Sequence, residues 1–348
     1  MKAKVSIKIF VLIVLIILNA CQIESNAPDA FELVTLKMNY ALVPSYAPII
    51  IAEEEGYFAD YGIEIEKVTF NSSVEAVPLV VSGDIDVFAG AASAGILNVL
   101  GKEENIKVVA DRGHIEVGGC TFQAIVVRKD LFDSGEITKG ADLAGHLIST
   151  PPTGPGIFFL SQYLQSAGLT LDDVEITDIP TNSYIDAFRN QAVEVIVPTE
   201  LHLSRLMADG NATILVGSED VIGYSQTSIL AFGKNLLNDH PEIGVRFLAA
   251  YLKGVAQYRQ GKTERNLQIL ADATGEDMEI LQSSCWLPIN ADGWIYFPLV
   301  DSFQQWSVGM GHMDQLITEE QFWDPSFLEA AYELLGPESP RQNDCDCE

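Results

Sequence analysis

The sequence predicts an α/β fold of two blocks, each a mainly parallel sheet flanked by helices, with a ligand cleft between them. Three observations carry this. From Phe31 onward, short apolar runs alternate with helix-like segments, the rhythm of strand–helix–strand units. The rhythm breaks at Gly118-Gly119 and restarts. After Phe232 the chain turns helical.

In order, Leu33 to Met38 reads as a first strand. Pro48 to Glu55 reads as a helix, with proline suited to its first turn and Gly56 to its end. Ile63 to Phe70 is a second strand whose apolar phase slips at Glu66-Lys67, which predicts a bulge. Val74 to Val81 is helix, Ile85 to Phe88 strand, Ala94 to Leu100 helix and Ile106 to Ala110 strand. In the second block, Ala124 to Val127 is a strand and Leu147 to Ser149 opens a new series. Helix Ile157 to Ala167 stops at Gly168, and strand Val174 to Ile179 follows. Ser183 to Asn190 is helix, Val193 to Val197 strand and Leu201 to Ala208 helix. Ile229 to Phe232 is a last strand before helices over Pro241 to Arg259 and Lys262 to Ala273. The expected division is residues 31–120 with 226–340 as lobe 1, 121–225 as lobe 2, and 341–348 as a disordered tail.

The first thirty residues read as processing signals. Lys2, Lys4 and Lys8 precede ten unbroken apolar residues, Ile9 to Leu18. Such a helix covers about 15 Å at roughly 1.5 Å per residue, half of the roughly 30 Å hydrocarbon core, so residues 1–20 read as a secretory signal. Leu18-Asn19-Ala20-Cys21 matches the bacterial lipobox, which makes Cys21 a lipidated first residue. Two or three acyl chains anchor stably. Residues 21–30 then form a polar tether.

The formal charge of −29, lower by three once the leader lysines are gone, argues against nucleic acid or anionic lipid as partner. Cys120, Cys285, Cys345 and Cys347 are too few and scattered for a disulfide framework. Zincin, serine-hydrolase and Walker motifs are missing, and the five histidines have no ligand-like spacing. No catalytic residue, metal or cofactor is expected.

Loops at the carboxyl ends of strands say more, because open α/β sheets bind ligands there. After the first strand, Asn39 to Pro48 offers Asn39, the rings of Tyr40 and Tyr46 to sandwich a flat ring, and Ser45 as donor. "AGAASAG", Ala89 to Gly95, lets a ligand approach the backbone at Ala92 and Ser93, with Ser93 fit to cap the next helix. "STPPTGPGIFF", Ser149 to Phe159, presents N–H groups around Thr153, Gly154 and Gly156 at a helix N-terminus. In "VIVPTELHL", Glu200 enters the cleft or favours the helix dipole. Tyr224 lies beside the return crossover. None of these five loops carries Lys or Arg. That favours a flat, neutral or weakly cationic ring over an anion, although a helix N-terminus can hold an anion unaided.

"AEEEGYFADYGIEIEKV" (Ala52 to Val68), "SGDIDVFAGAAS" (Ser82 to Ser93) and "ADLAGHLI" (Ala141 to Ile148) resemble segments of the substrate-binding lipoproteins of bacterial ABC importers. The branch is the one similar to thiamine-pyrimidine synthesis proteins, which also holds sulfonate, taurine and nitrate binders. The resemblance implies a two-lobed type II periplasmic-binding fold, with Tyr40, Tyr46, Ser93, Thr153, Gly154, Glu200 and Tyr224 near the cleft. The family's G-x-x-D-A turn is replaced by Asn190 to Val195, and the cysteine-rich motif of its enzyme branch has no counterpart. The implied protein is a monomer on the outer face of a bacterial membrane that captures a small heterocycle, a thiamine-related pyrimidine or a flavin. It would hand this to permease and ATPase subunits. A binder of sulfonate, taurine or nitrate is the first alternative. A pyrimidine-making enzyme and a sensory binding domain are the others.

Overall fold

A computed structural model describes residues 31–41, 44–70 and 73–340, and its backbone builds two five-stranded sheets. Among the described residues there are ten strands: β1 (Val34–Asn39), β2 (Ile63–Val68), β3 (Val87–Ala91), β4 (Ile106–Ile115), β5 (Ala124–Arg128), β6 (Leu147–Ser149), β7 (Glu175–Thr177), β8 (Val195–Ile196), β9 (Ala212–Gly217) and β10 (Ser225–Gly233). The first sheet runs β2-β1-β3-β10-β4 and the second β7-β6-β8-β5-β9. Each sheet is mainly parallel with one reversed strand, β10 in the first and β5 in the second. The first sheet thus draws on 34–115 and 225–233, the second on 124–217.

Burial follows the side-chain alternation of strands. On β5, Ile125 and Val127 join Phe159, Leu160 and Leu164 on one face, while Ala124 and Val126 join Phe188 and Leu206 on the other. A strand covered on both faces needs an unbroken apolar run, and Ala124 to Val127 supplies it. The first sheet buries Leu36, Met38, Phe88 and Phe232 against helix Pro241–Tyr258, whose Phe247 and Tyr251 are fully enclosed. Here a glycine is required: a Cβ on Gly254 would stand 2.2 Å from the Pro48 carbonyl oxygen, so its absence lets this helix touch helix Ala47–Glu54 backbone to backbone.

Several expectations need correction. No bulge interrupts β2, which pairs with β1 in continuous register from Ile63 to Val68. Its charged Glu66 and Lys67 are exposed because β2 is an edge strand, where charge discourages further pairing. β4 runs on to Ile115 and β10 begins at Ser225, both well past their apolar cores. β9 and the helices Met278–Ser283, Pro298–Gly309 and Ser326–Leu335 were not anticipated. Cys120 and Cys285, 165 residues apart, form a disulfide with Cα atoms 5.5 Å apart, so spacing in sequence was no guide. No described helix is long and apolar enough to cross a membrane. The signal, Cys21, the tether and the tail at 341–348 lie outside the described residues.

Candidate functional site

A cavity of about 320 Å³ opens between the two sheets, where loops from both meet. Asn39, Tyr40, Gly90 and Arg112 line it from the first sheet, and Gln123 and Glu200 from the second. Ser45, Tyr46, Phe70 and Phe122 complete much of the wall. Its volume suits a small organic solute.

Of the sequence-predicted residues, Asn39, Tyr40, Ser45, Tyr46 and Glu200 line this cavity. Much of their polar capacity is already committed. The Asn39 carboxamide donates to Ala89 O (2.7 Å) and to Tyr46 Oη (3.0 Å), and accepts from Ala89 N–H (2.7 Å). Tyr46 Oη in turn donates to Ala89 O at 2.6 Å. These bonds pin the loop after β1 to β3. Tyr40 Oη donates to Glu53 Oε2 (2.8 Å), and Lys67 lies 4.6 Å from its ring centroid. Burial pushes both phenols up from their ordinary pKa, so both are neutral donors at physiological pH. The expected sandwich is not formed: the two rings stand 5.7 Å apart at 42°, leaving no parallel gap for a third.

The other predicted residues stand around the cavity rather than on its wall. Ala92 and Ser93 are buried behind Gly90 and Ala91, and Ser93 precedes helix Ala94–Leu100 without a side-chain capping bond. Thr153 is exposed, and Gly154 leads into helix Pro155–Ser166, of which Pro155 reaches the cavity. Gly156 has a packing reason, since a Cβ there would meet Thr150 Oγ1 at 2.8 Å and Gln123 Nε2 at 3.2 Å. Tyr224 is 57% exposed and off the wall.

Glu200 is 7% exposed and sits between the cavity and a groove on its far side. Its Oε1 accepts from Cys285 N–H (2.9 Å) and Ser204 Oγ (2.9 Å), its Oε2 from Ser204 N–H (3.2 Å). Burial raises its pKa above the ordinary value, and the hydrogen bonds from Cys285 and Ser204 offset part of the rise. Beside it, Arg205 pairs with Glu276, its Nε 2.8 Å from the carboxylate. On another flank, Phe158 packs 5.6 Å from Phe303 and 5.5 Å from Trp306, joining helix Pro155–Ser166 to helix Pro298–Gly309.

Two residues that the sequence did not single out change the chemistry. Arg112, on β4, is 4% exposed and lies over the Tyr46 ring, 4.6 Å from its centroid. Its Nη1 donates to Ser45 O at 2.7 Å, its Nε has no partner, and it forms no salt bridge among the described residues. Gln123 is 4% exposed, and its Oε1 has no partner. Buried polar groups are ordinarily satisfied. Among the described residues no group of three or more metal-ligating side chains is assembled.

Two lobes' worth of sheet, a cavity at the carboxyl ends of β1, β3 and β8, and helix-flanked mixed order define the fold of periplasmic solute-binding proteins. Residues 43–261 match the NMT1/THI5-like family model, and the chain belongs to that family. A curated relative, the riboflavin-binding protein RibY of Chloroflexus aurantiacus, is 22% identical over 267 residues, covering 74% of each chain. The periplasmic nitrate-binding protein NrtA of Synechocystis PCC 6803 superposes with a TM-score of 0.70 at 16% identity, over 90% of this chain and 93% of its own. The desulfurization enzyme DSZB superposes with a TM-score of 0.64, also at 16% identity, over 86% of this chain and 99% of its own. The likeness to these structures shows that the chain shares their fold.

Proposed function

We propose that this protein captures a flat heterocyclic nutrient, a thiamine-related pyrimidine or a flavin-like ring, outside the membrane and delivers it to a permease without transforming it. The observation that carries the reading is the cavity's composition: Tyr40, Tyr46, Phe70 and Phe122 surround it, and Asn39, Tyr40, Tyr46 and Glu200 already hold protein partners. Rings of this kind favour a flat apolar body. The similarity to a riboflavin-binding protein supports the same class. Residues 31–120 with 226–340, and 121–225, act as two lobes that close on the ligand, a hinge motion favoured only by contacts to both. Cys21 carries the lipid that keeps the protein at the bacterial surface, and the binder works as a monomer.

One observation favours a second reading. Arg112 is a buried guanidinium without a carboxylate partner among the described residues, which suits a sulfonate- or nitrate-like anion. Against it, Glu200 brings a carboxylate to the same wall. An enzyme on this scaffold is the reading from another class; the cavity brings together neither a nucleophile–base pair nor a metal cluster among the described residues.

Calorimetry with riboflavin, an aminopyrimidine alcohol, an alkanesulfonate and nitrate tests this. One-to-one binding of a heterocycle, with the ligand recovered unchanged, is expected. Binding of the anions alone overturns the substrate class, and steady product formation overturns the binding-protein role.

A further inference from the structure

We propose that Arg112 and Gln123 are the specificity-determining pair of this cavity, reading a ring edge on which a hydrogen-bond donor and acceptor stand side by side. The inference rests on the heterocycle reading above and deepens it. The two residues face the cavity from different sheets, Arg112 from β4 and Gln123 from the residue preceding β5. Each is about nineteen-twentieths buried, and each keeps an unpartnered polar atom, Nε on Arg112 and Oε1 on Gln123. An unmet buried donor and an unmet buried acceptor together cost several times the net worth of a hydrogen bond. Both atoms are enclosed as the side chains stand, so a ligand that meets both, and so relieves that cost, draws the two side-chain ends toward it and contacts both sheets.

The chemistry of the pair narrows the ligand. A carboxamide offers one donor and one acceptor whichever way its end is turned. Its complement is a cis-amide or amidine edge, the way an Asn or Gln amide reads adenine. The guanidinium, donor only, asks for a further oxygen or nitrogen acceptor beside that edge. An imide-bearing ring of the flavin type and an aminopyrimidine both present this shared pattern. Nitrate and sulfonate present acceptors alone, so they can take the Gln123 NH2 but leave its oxygen without a donor. Arg112 and Glu200 also bring one positive and one negative charge to the wall, which matches a ligand of no net charge.

Gly156 shows that the position of Gln123 matters to the local packing. Its missing side chain leaves room for the Gln123 amide, whose Nε2 is 3.2 Å from where a Cβ would stand. The Gln123 backbone is held independently: its carbonyl accepts from Ser218 N–H at 2.9 Å, and it bridges Thr199. A change confined to the side chain therefore leaves the crossover in place.

The test uses the full-length protein in detergent micelles, with riboflavin, riboflavin methylated at its imide nitrogen, and an aminopyrimidine alcohol as probes. Wild type should bind riboflavin or the aminopyrimidine. If riboflavin is the ligand, methylation should weaken it about ten- to a hundredfold, the range of a bidentate amide contact. Gln123→Leu should weaken riboflavin by a similar factor and no longer distinguish it from the methylated form, with an unchanged melting temperature. If the aminopyrimidine is the ligand, its ring lacking the exocyclic amine should replace the methylated flavin in the same comparison. Arg112→Met should weaken either ligand, and Arg112→Lys should not fully restore it, because an ammonium lacks the planar fork. Heterocycle binding that ignores both the blocked edge and Gln123→Leu overturns this proposal and leaves the heterocycle reading standing. Failure of wild type to bind any heterocycle overturns that reading itself.

Discussion

Truncating Glu200 should cost far more stability than neutralising it. In Glu200→Ala the N–H groups of Cys285 and Ser204 lose their acceptor in a buried setting, while the Ser204 hydroxyl can turn elsewhere. Each unmet buried donor costs about 1–3 kcal/mol, so the expected loss is about 2–5 kcal/mol. At about 2–4 °C per kcal/mol, the figure for domains of about 150–250 residues, melting should fall by roughly 4–20 °C. Glu200→Gln keeps an oxygen for Cys285 and the Ser204 hydroxyl and removes a buried charge. Its cost should stay within about 1 kcal/mol. The pH dependence has a definite sign. Because burial raises the folded-state pKa above 4.5, the folded protein binds the proton more tightly than the unfolded chain. Stability from this group therefore falls as pH rises from about 4.5 through the raised value, then levels off. Urea unfolding of wild type against Glu200→Gln, from about pH 4.5 to about pH 8, isolates it: wild type should gain on the variant toward acid. Equal stability of Glu200→Ala and wild type, or a wild-type gain toward alkali, would refute the reasoning.

Growth with labelled palmitate should mark wild type and leave Cys21→Ser unlabelled and shed into the medium. Replacing both Cys120 and Cys285 by Ser opens a long loop and should lower stability by about 3–5 kcal/mol, read by denaturant midpoint, with no change in ligand stoichiometry. Tyr46→Ala should weaken ligand affinity about tenfold or more by calorimetry, since it removes a ring from the wall and the face on which Arg112 rests.

What the sequence revealed and what it hid divide along one physical line. Helix Ala94–Leu100 and strand β6 agree with their apolar periods because each is decided by its own residues. The loop after β1 was legible for the same reason: Asn39 and Tyr46 are polar and aromatic residues between a strand and a helix, and they do reach the cavity. β9 was missed because its residues are only partly buried, as befits the edge of the second sheet. The helices after residue 275 were missed because their apolar contacts lie far away in the chain, as where Phe303 and Trp306 meet Phe158 and Phe327 meets Phe232.

Arg112 was hidden for a more instructive reason. "ADRGHI", Ala110 to Ile115, looks like a polar turn that should end a strand, yet all six residues are buried in β4. What permits this is a set of partners no local pattern reveals. Asp111 accepts from Gln226 Nε2 (2.8 Å), Gly113 N–H (2.7 Å) and Asn290 N–H (2.9 Å), and contacts His114 Nδ1 at 3.0 Å. Burial alone would lower the His114 pKa, but hydrogen bonds and charge from Asp111 and Glu116 raise it, so the ring is held toward its charged form. Gly113, at φ +143°, leaves the space that Leu287 fills. Residues 226, 287 and 290 thus satisfy one side of β4, and Arg112, alternating to the other, is left with Ser45 O, the Tyr46 ring and the cavity. A strand that buries this many polar groups gives up the apolar run by which strands are recognised. It does so where the chain gains a cation on the cavity wall, and the absence of Lys and Arg from the loops therefore never measured the charge of the site.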